Sequence, residues 1–212
     1  MIRTPKLALA AVALALGGCS TLGADGEGFG SSYYSLANVR AISVGNGSMV
    51  VTPPRPWNRS RRQLIFSDEV SWVEDWTLNG PYLDGISFVT GLPNNRSFLR
   101  QRRTAERQVP NFRSDMTAPE VAAMIESLFR VRAGTVDFRT LSLQPRPFLG
   151  TNGFQFDYEH LDTDELWRRG RAVGAVIDGE LYLILFDAAR SHYFANAIGD
   201  FETMVASARK RR

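Results

Sequence analysis

The chain has 212 residues, and 44% of them are hydrophobic, enough for one domain with a real core. Lysine and arginine number 25 against 22 acids, but Arg3 and Lys6 stand in an N-terminal segment that reads as removable, so what remains is nearly neutral. A basic isoelectric point therefore gives no support for nucleic-acid binding.

The first element is an address, not a fold. Arg3 and Lys6 make a short positive start, and Leu7 through Leu16 make an apolar run, half the ~20 residues a membrane anchor needs. The run ends in Leu16-Gly17-Gly18-Cys19, with the only cysteine of the chain at its close. This resembles the bacterial lipobox. The resemblance implies a diacylglycerol thioether on Cys19 and cleavage just before it, and Ser20 in place of Asp implies the outer membrane, periplasm-facing, over retention at the inner membrane. Residues 1–18 are then a signal peptide. Residues 19–40, with "STLGADGEGFGSSYYS" directly after Cys19, read as the lipidated N-terminus and a flexible tether, and 41–212 as a single domain.

Within the domain, "SMVVTPP" (48–54) is a short strand closed by prolines, which cannot continue a ladder. In "EVSWVEDWTL" (69–78) alternation places Val70, Trp72, Glu74 and Trp76 on one face, and Asn79-Gly80-Pro81 turns the chain into a second strand, "YLDGISFVTG" (82–91). Leu92 to Asp115 shows no sustained period and is expected as a long loop or a partly helical excursion. Helix signals follow: Thr117 and Glu120 spaced as a capping box, Pro119 in the first turn, and Gly134 past the end. Val121, Met124, Ile125, Leu128 and Phe129 fall on the face that should pack on a sheet. "TVDFRTLSLQP" and "GFQFDYEHL" are strands. "RRGRAVGAVIDGELYLILFDAA" is a hairpin on Asp178-Gly179, its run Leu181 to Phe186 apolar on both faces and so central. A closing helix has Phe201, Met204, Val205 and Ala208 inward, with Asp200 as candidate cap.

Strands, long loop, helix, four strands and helix describe an α+β fold, an antiparallel β-sheet flanked by helices. Residues from about 48 to 208 resemble the PsbP-like fold, an α/β/α sandwich. The matching stretches are "VVTPPRPW", "MTAPEVAAMIESL", "FLGTNGFQFDYE", "GAVIDGELYLILFDA" and "FETMVASAR". That resemblance implies a non-enzymatic binding or assembly factor and carries over no site residue.

The constellations that could argue for chemistry do not assemble one. "FDYEHLDTDE" gathers Asp157, Glu159, His160, Asp162, Asp164 and Glu165 but lacks the glycine and distal glutamate of a calcium loop. Strand alternation puts Asp157 and Glu159 on one face and Phe156, Tyr158 and His160 on the other. His160 and His192 are the available imidazoles, with no Gly-x-Ser-x-Gly elbow, and His192 reads as a cap or packing residue beside Tyr193 and Phe194. Adjacent Glu74 and Asp75 point to opposite faces. Catalysis, a metal and a cofactor are therefore not expected.

Arginine dominates lysine heavily. Arg55, Arg59, Arg61 and Arg62 crowd one loop, and Arg96, Arg100, Arg102, Arg103 and Arg107 another, with Trp57, Phe98 and Leu99 interleaved. The plain reading is a solvated face. The functional one is a contact surface, for an envelope protein partner or an anionic lipid headgroup brought close by the anchor, with Arg59, Arg61, Arg62, Arg100, Arg102 and Arg103 as its residues. The alternative is a carrier of a small envelope ligand, its pocket lying between the 92–113 loop, helix 117–132 and the sheet.

Overall fold

The computed structural model describes residues 33–61, 68–101 and 104–211. The strands are β1 (Tyr34–Ala37), β2 (Ile42–Val44), β3 (Met49–Val51), β4 (Trp57–Ser60), β5 (Val73–Thr77), β6 (Asp84–Leu92), β7 (Asp137–Pro145), β8 (Phe154–Leu161), β9 (Trp167–Ile177), β10 (Glu180–Ala189) and β11 (Arg209–Lys210). Helix α1 (Ala118–Arg132) lies between β6 and β7, and α2 (Tyr193–Ser207) between β10 and β11. Eight strands form one antiparallel sheet in the order β1-β4-β5-β6-β10-β9-β8-β7, and β11-β3-β2 form a second, smaller one. Among the described residues no helix is long and apolar enough to cross a membrane.

The large sheet is covered on both faces, and β10 shows how. Tyr182, Ile184 and Phe186 enter a core with α2 residues Ala197, Phe201, Met204 and Val205 and with Val44, Met49 and Val51 of the small sheet. Leu181, Leu183 and Leu185 enter the opposite core, with α1 residues Val121, Met124 and Ile125 and the loop residues Phe98, Leu99, Val109 and Phe112. Apolar residues on both faces of one strand therefore mean what the sequence implied, a central strand between two layers.

Local chemistry sets the ends of the elements. The backbone N–H of Thr117 donates to Glu120 Oε2 at 2.7 Å, closing half of the capping box, and Glu120 sits below the usual carboxylate range through that bond and the Thr117 hydroxyl. The β9–β10 hairpin turns on Asp178 (φ 53°) and Gly179 (φ 79°), both positive as a primed turn requires. The β5–β6 hairpin closes on Asp84 instead, whose Oδ1 accepts from the Thr77 hydroxyl and from the Leu78 N–H at 2.8 and 2.7 Å.

Four expectations are corrected. The tether read as reaching residue 40 ends earlier, because Tyr34–Ala37 already pair with β4. Trp72 does not share a face with Trp76: residues 71–72 form a turn, β5 starts at Val73, and the Trp72 indole packs in the α1-side core with its N–H on the Ser97 carbonyl at 3.0 Å. The closing helix begins at Tyr193 with His192 at its N-cap position, so Asp200 is an interior residue, not a cap. The chain then does not stop at that helix but adds β11 to the edge of β3.

Candidate functional site

The charged end of the sheet, where β1, β4 and β5 meet the segment after β6, carries Arg59 and Arg61. Its framework is one carboxylate. Glu74 of β5 accepts from the Trp76 indole N–H at 2.6 Å, from the Gly45 N–H at 2.8 Å and from Arg59, whose Nε lies 2.5 Å from Oε1 and whose Nη2 lies 2.7 Å from Oε2. Arg59 adds a bond to the Ser43 carbonyl at 3.3 Å. Strand, hairpin and indole are thus tied together. Gly45 has φ +59°, and a Cβ there would lie 2.1 Å from Thr90 Oγ1, so glycine is what lets the β2–β3 turn come this close.

Beside this fork is a cleft of about 440 Å³, lined among others by Ser35, Arg59, Arg61, Asp68, Phe98 and Arg132. The two arginine-bearing segments meet here. The N–H of Arg100 donates to the Asp68 carbonyl at 2.7 Å, and the N–H of Arg61 to the Tyr33 carbonyl at 2.8 Å. Arg61 and Arg100 are exposed, while Arg59 is half-buried in its ion pair. Arg62, Arg102, Arg103 and the lipidation candidate Cys19 lie outside the described residues.

Among the described residues, apolar side chains of the loop pack beneath it. Phe98, Leu99, Val109 and Phe112 are buried against Val121, Met124 and Ile125, where the carrier reading placed its pocket. The loop is closed over them by backbone and amide bonds. Asn95 N–H donates to the Phe112 carbonyl at 2.8 Å, Phe112 N–H to the Arg96 carbonyl at 2.7 Å, and the Gln101 side chain brackets Val109 with bonds of 2.8 and 2.6 Å.

The acidic stretch 157–165 divides as strand alternation requires. Asp157 turns to the α2 side, where it accepts from Arg171 at 2.6 Å and from Ser142 and Gln155 at 3.0 Å. Burial would raise this carboxyl, but the bonds from Arg171, Gln155 and Ser142 and the Arg171 charge together outweigh it and the pKa is lowered. Phe156, Tyr158 and His160 form a ladder of stacked rings on the α1 side with Phe138, and Phe129 of α1 lies over it.

His160 ends that ladder and is fully buried. Its Nδ1 lies 2.7 Å from Asp162 Oδ1 and its Nε2 2.9 Å from Asp187 Oδ2. Burial alone would lower its pKa. The bonds to Asp162 and Asp187 and the charges of both carboxylates overcome that and raise it to about 9, so the imidazole is a cation at neutral pH. Asp162 is completed by Thr135 Oγ1 at 2.6 Å and by Arg168 Nε at 2.9 Å. Sequence reasoning missed this cluster, because Thr135, Arg168 and Asp187 come from three other segments and only Asp162 lies near His160 in the chain. With both ring nitrogens engaged by carboxylates His160 cannot act as a base, and among the described residues no group of three His, Asp or Glu side chains is placed to hold a metal ion.

No protein-family model and no curated protein matches the sequence. Solved structures do match the fold. The solution structure of cyanobacterial PsbP, CyanoP, from Synechocystis sp. PCC 6803 superposes with a TM-score of 0.55 at 14% identity, covering 90% of this chain and 99% of its own. The Saccharomyces cerevisiae Ran-binding protein Mog1p gives 0.48 at 10% identity over 83% of this chain and 96% of its own. LpqN, involved in cell envelope biogenesis of Mycobacterium tuberculosis, gives 0.35 at 8% identity over 84% and 86%. At such identities likeness speaks for architecture alone, and the similarity to CyanoP agrees with the layers described above: the domain has a PsbP-like α+β fold.

Proposed function

We propose that this protein is a lipid-anchored factor of the cell envelope that works by binding another envelope protein, without catalysis, through the charged cleft and the two arginine-bearing segments beside it. The observation that carries the reading is convergence. Segments some forty residues apart in the chain bring Arg61 and Phe98 to one cleft and bond Arg100 to its Asp68, while Phe98, Leu99, Val109 and Phe112 pack against α1. Arginine with an aromatic neighbour is the composition of interface hot spots. The anchor rests on the Leu16-Gly17-Gly18-Cys19 motif, and attachment to the outer membrane rests on Ser20.

Two measurements test it. Mass spectrometry of the native N-terminus should find Cys19 carrying acyl chains, and a mature chain starting elsewhere would remove the anchor. The lipidated protein should then be cross-linked in its own membrane beside a variant with Arg61, Arg100, Arg102 and Arg103 changed to Ser. Each charge-assisted bond lost at a contact costs ~1.5 to 3 kcal/mol, so two such losses already weaken binding by more than about a hundredfold. The variant should fold and lose one specific partner. An unchanged partner set defeats the proposal, and a small molecule recovered equally with both proteins would favour a carrier.

A further inference from the structure

Large apolar side chains are unevenly distributed on the surface. Among the described residues six are exposed, and three of them, Tyr33, Leu36 and Val39, stand within seven consecutive residues at 54, 60 and 56% exposure. They flank and occupy β1, the last strand of the eight-stranded sheet. Edge strands that face water are normally blunted by lysine, proline or inward charge. From residue 33 to 44 the chain, "YYSLANVRAISV", has no lysine, no proline and no acid, and its single charge is the exposed Arg40. Arg61, also exposed, is joined to this edge through the Tyr33 carbonyl. Tyrosine, aliphatic side chains and arginine without acids is the composition of a segment lying at a lipid headgroup boundary.

We infer that the β1 edge is a membrane-docking edge, which seats the domain on a phospholipid surface with Tyr33, Leu36 and Val39 in the headgroup region. The inference rests on the lipid-anchor reading and adds an orientation to it. The lipid is the occupant because of where the chain arrives. Between Cys19 and Tyr33 stand thirteen residues, which reach at most about 50 Å in any conformation, and they join the domain at this edge. Anchoring holds the bilayer at high local concentration beside the first residues of the domain, so weak apolar contacts suffice where they would not in free solution. Ser35 of β1 also lines the charged cleft. A docked edge would therefore present Arg61 and the cleft at the membrane surface, where a membrane-held partner is met.

The test uses the mature lipidated protein in vesicles of phosphatidylethanolamine and phosphatidylglycerol. Cys19 is the only cysteine and is blocked by its lipid, so Leu36→Cys, and separately Leu141→Cys, each take a single nitroxide. Leu141 is a similarly exposed residue on β7, the opposite edge, about 34 Å away across seven strand spacings. On vesicles the label at position 36 should collide severalfold less often with an aqueous nickel chelate than the label at 141, and more often with oxygen. Equal aqueous collision at both positions on vesicle-bound protein overturns the docking edge and leaves the anchor standing. Spin-spin broadening at position 36 without vesicles assigns the edge to a second copy of the chain and overturns it equally. Protein that does not float with the vesicles removes the anchor and the inference together.

Discussion

His160 offers a measurement in which the buried network reports on itself. Its pKa of about 9 stands above the 6.5 of a free imidazole, a difference of about 3 kcal/mol in favour of the folded state when the ring is charged. Because the folded value is the higher one, this contribution is fully present below pH 6.5, declines by ~1.4 kcal/mol per pH unit above it, and is gone once the pH has passed about 9. Among the described residues the other groups held away from their ordinary values lie outside that window. Asp157, Asp162 and Glu202 are held below their ordinary 3.8 and 4.5, and Lys210 above 10.5. Urea unfolding of the chain without its first 18 residues, followed by tryptophan fluorescence from pH 6 to pH 9, should show the native chain losing stability across that range. His160→Gln should start about 3 kcal/mol lower at pH 6, because it leaves Asp162 and Asp187 without their shared cation, and should show no such slope. A native chain equally stable at pH 6.5 and 9, or a variant with the same slope, would refute the assignment of a buried imidazolium.

Two further substitutions separate residues that hold the fold from those that do not. Arg59→Ser should destabilise the domain by about 2 kcal/mol, since Glu74 is almost buried and loses its countercharge, whereas Arg61→Ser should stay within about 0.5 kcal/mol; equal losses in urea unfolding would show that the fork does not bind β4 to β5. Gly170→Ala places a Cβ about 2.0 Å from Cζ of the buried Tyr158 ring and should cost ~1 to 3 kcal/mol, with a positive coupling to Tyr158→Leu in a double-mutant cycle and none to Phe201→Leu on the other face.

What the sequence showed of this molecule follows the range of the interactions involved. Elements fixed by local rules were legible: the capping box at Thr117, the Asp178-Gly179 turn, the alternation through Phe156, Tyr158 and His160, and β10 with apolar residues on both faces. Elements fixed by distant partners were not. β1 is a strand only because Trp57–Ser60 pair with it, and β11 only because Met49 and Val50 do. Trp72 follows the strand pattern in sequence yet is turned to the other face by a two-residue turn and the Ser97 carbonyl, which no periodicity contains. The His160 cluster is hidden for the same reason, being a meeting of four segments at one point. The two arginine clusters were visible as clusters, but only the fold brings Phe98 to the cleft that Arg61 lines and assigns Arg59 to Glu74.

That assignment changes how the arginine excess is understood. A guanidinium can serve two acceptors in different elements at once, which an ammonium on a flexible stem does poorly. Arg171 of β9 bonds Asp157 of β8 at 2.6 Å and Glu202 of α2 at 2.7 Å, and Arg146 holds the same Glu202 at 2.6 Å and Gln155 at 2.8 Å, so one helical carboxylate is fastened to the sheet from two sides. Arg55 secures α2 again through Asp200 at 2.5 Å, and Arg168 joins Asp162, Asp164 and the Tyr82 carbonyl. The Arg171, Arg146 and Arg55 pairs are half-buried and fasten α2 to the rest of the domain, so the preference for arginine is in part a device for joining helix to sheet. A partner surface has to be sought among the arginines outside that scheme. Among the described residues Arg61 and Arg100 are exposed and enter no ion pair, Arg61 lining the cleft and Arg100 bonded through its N–H to Asp68 of the cleft wall, so a contact made by this end of the sheet should depend on them and not on Arg59.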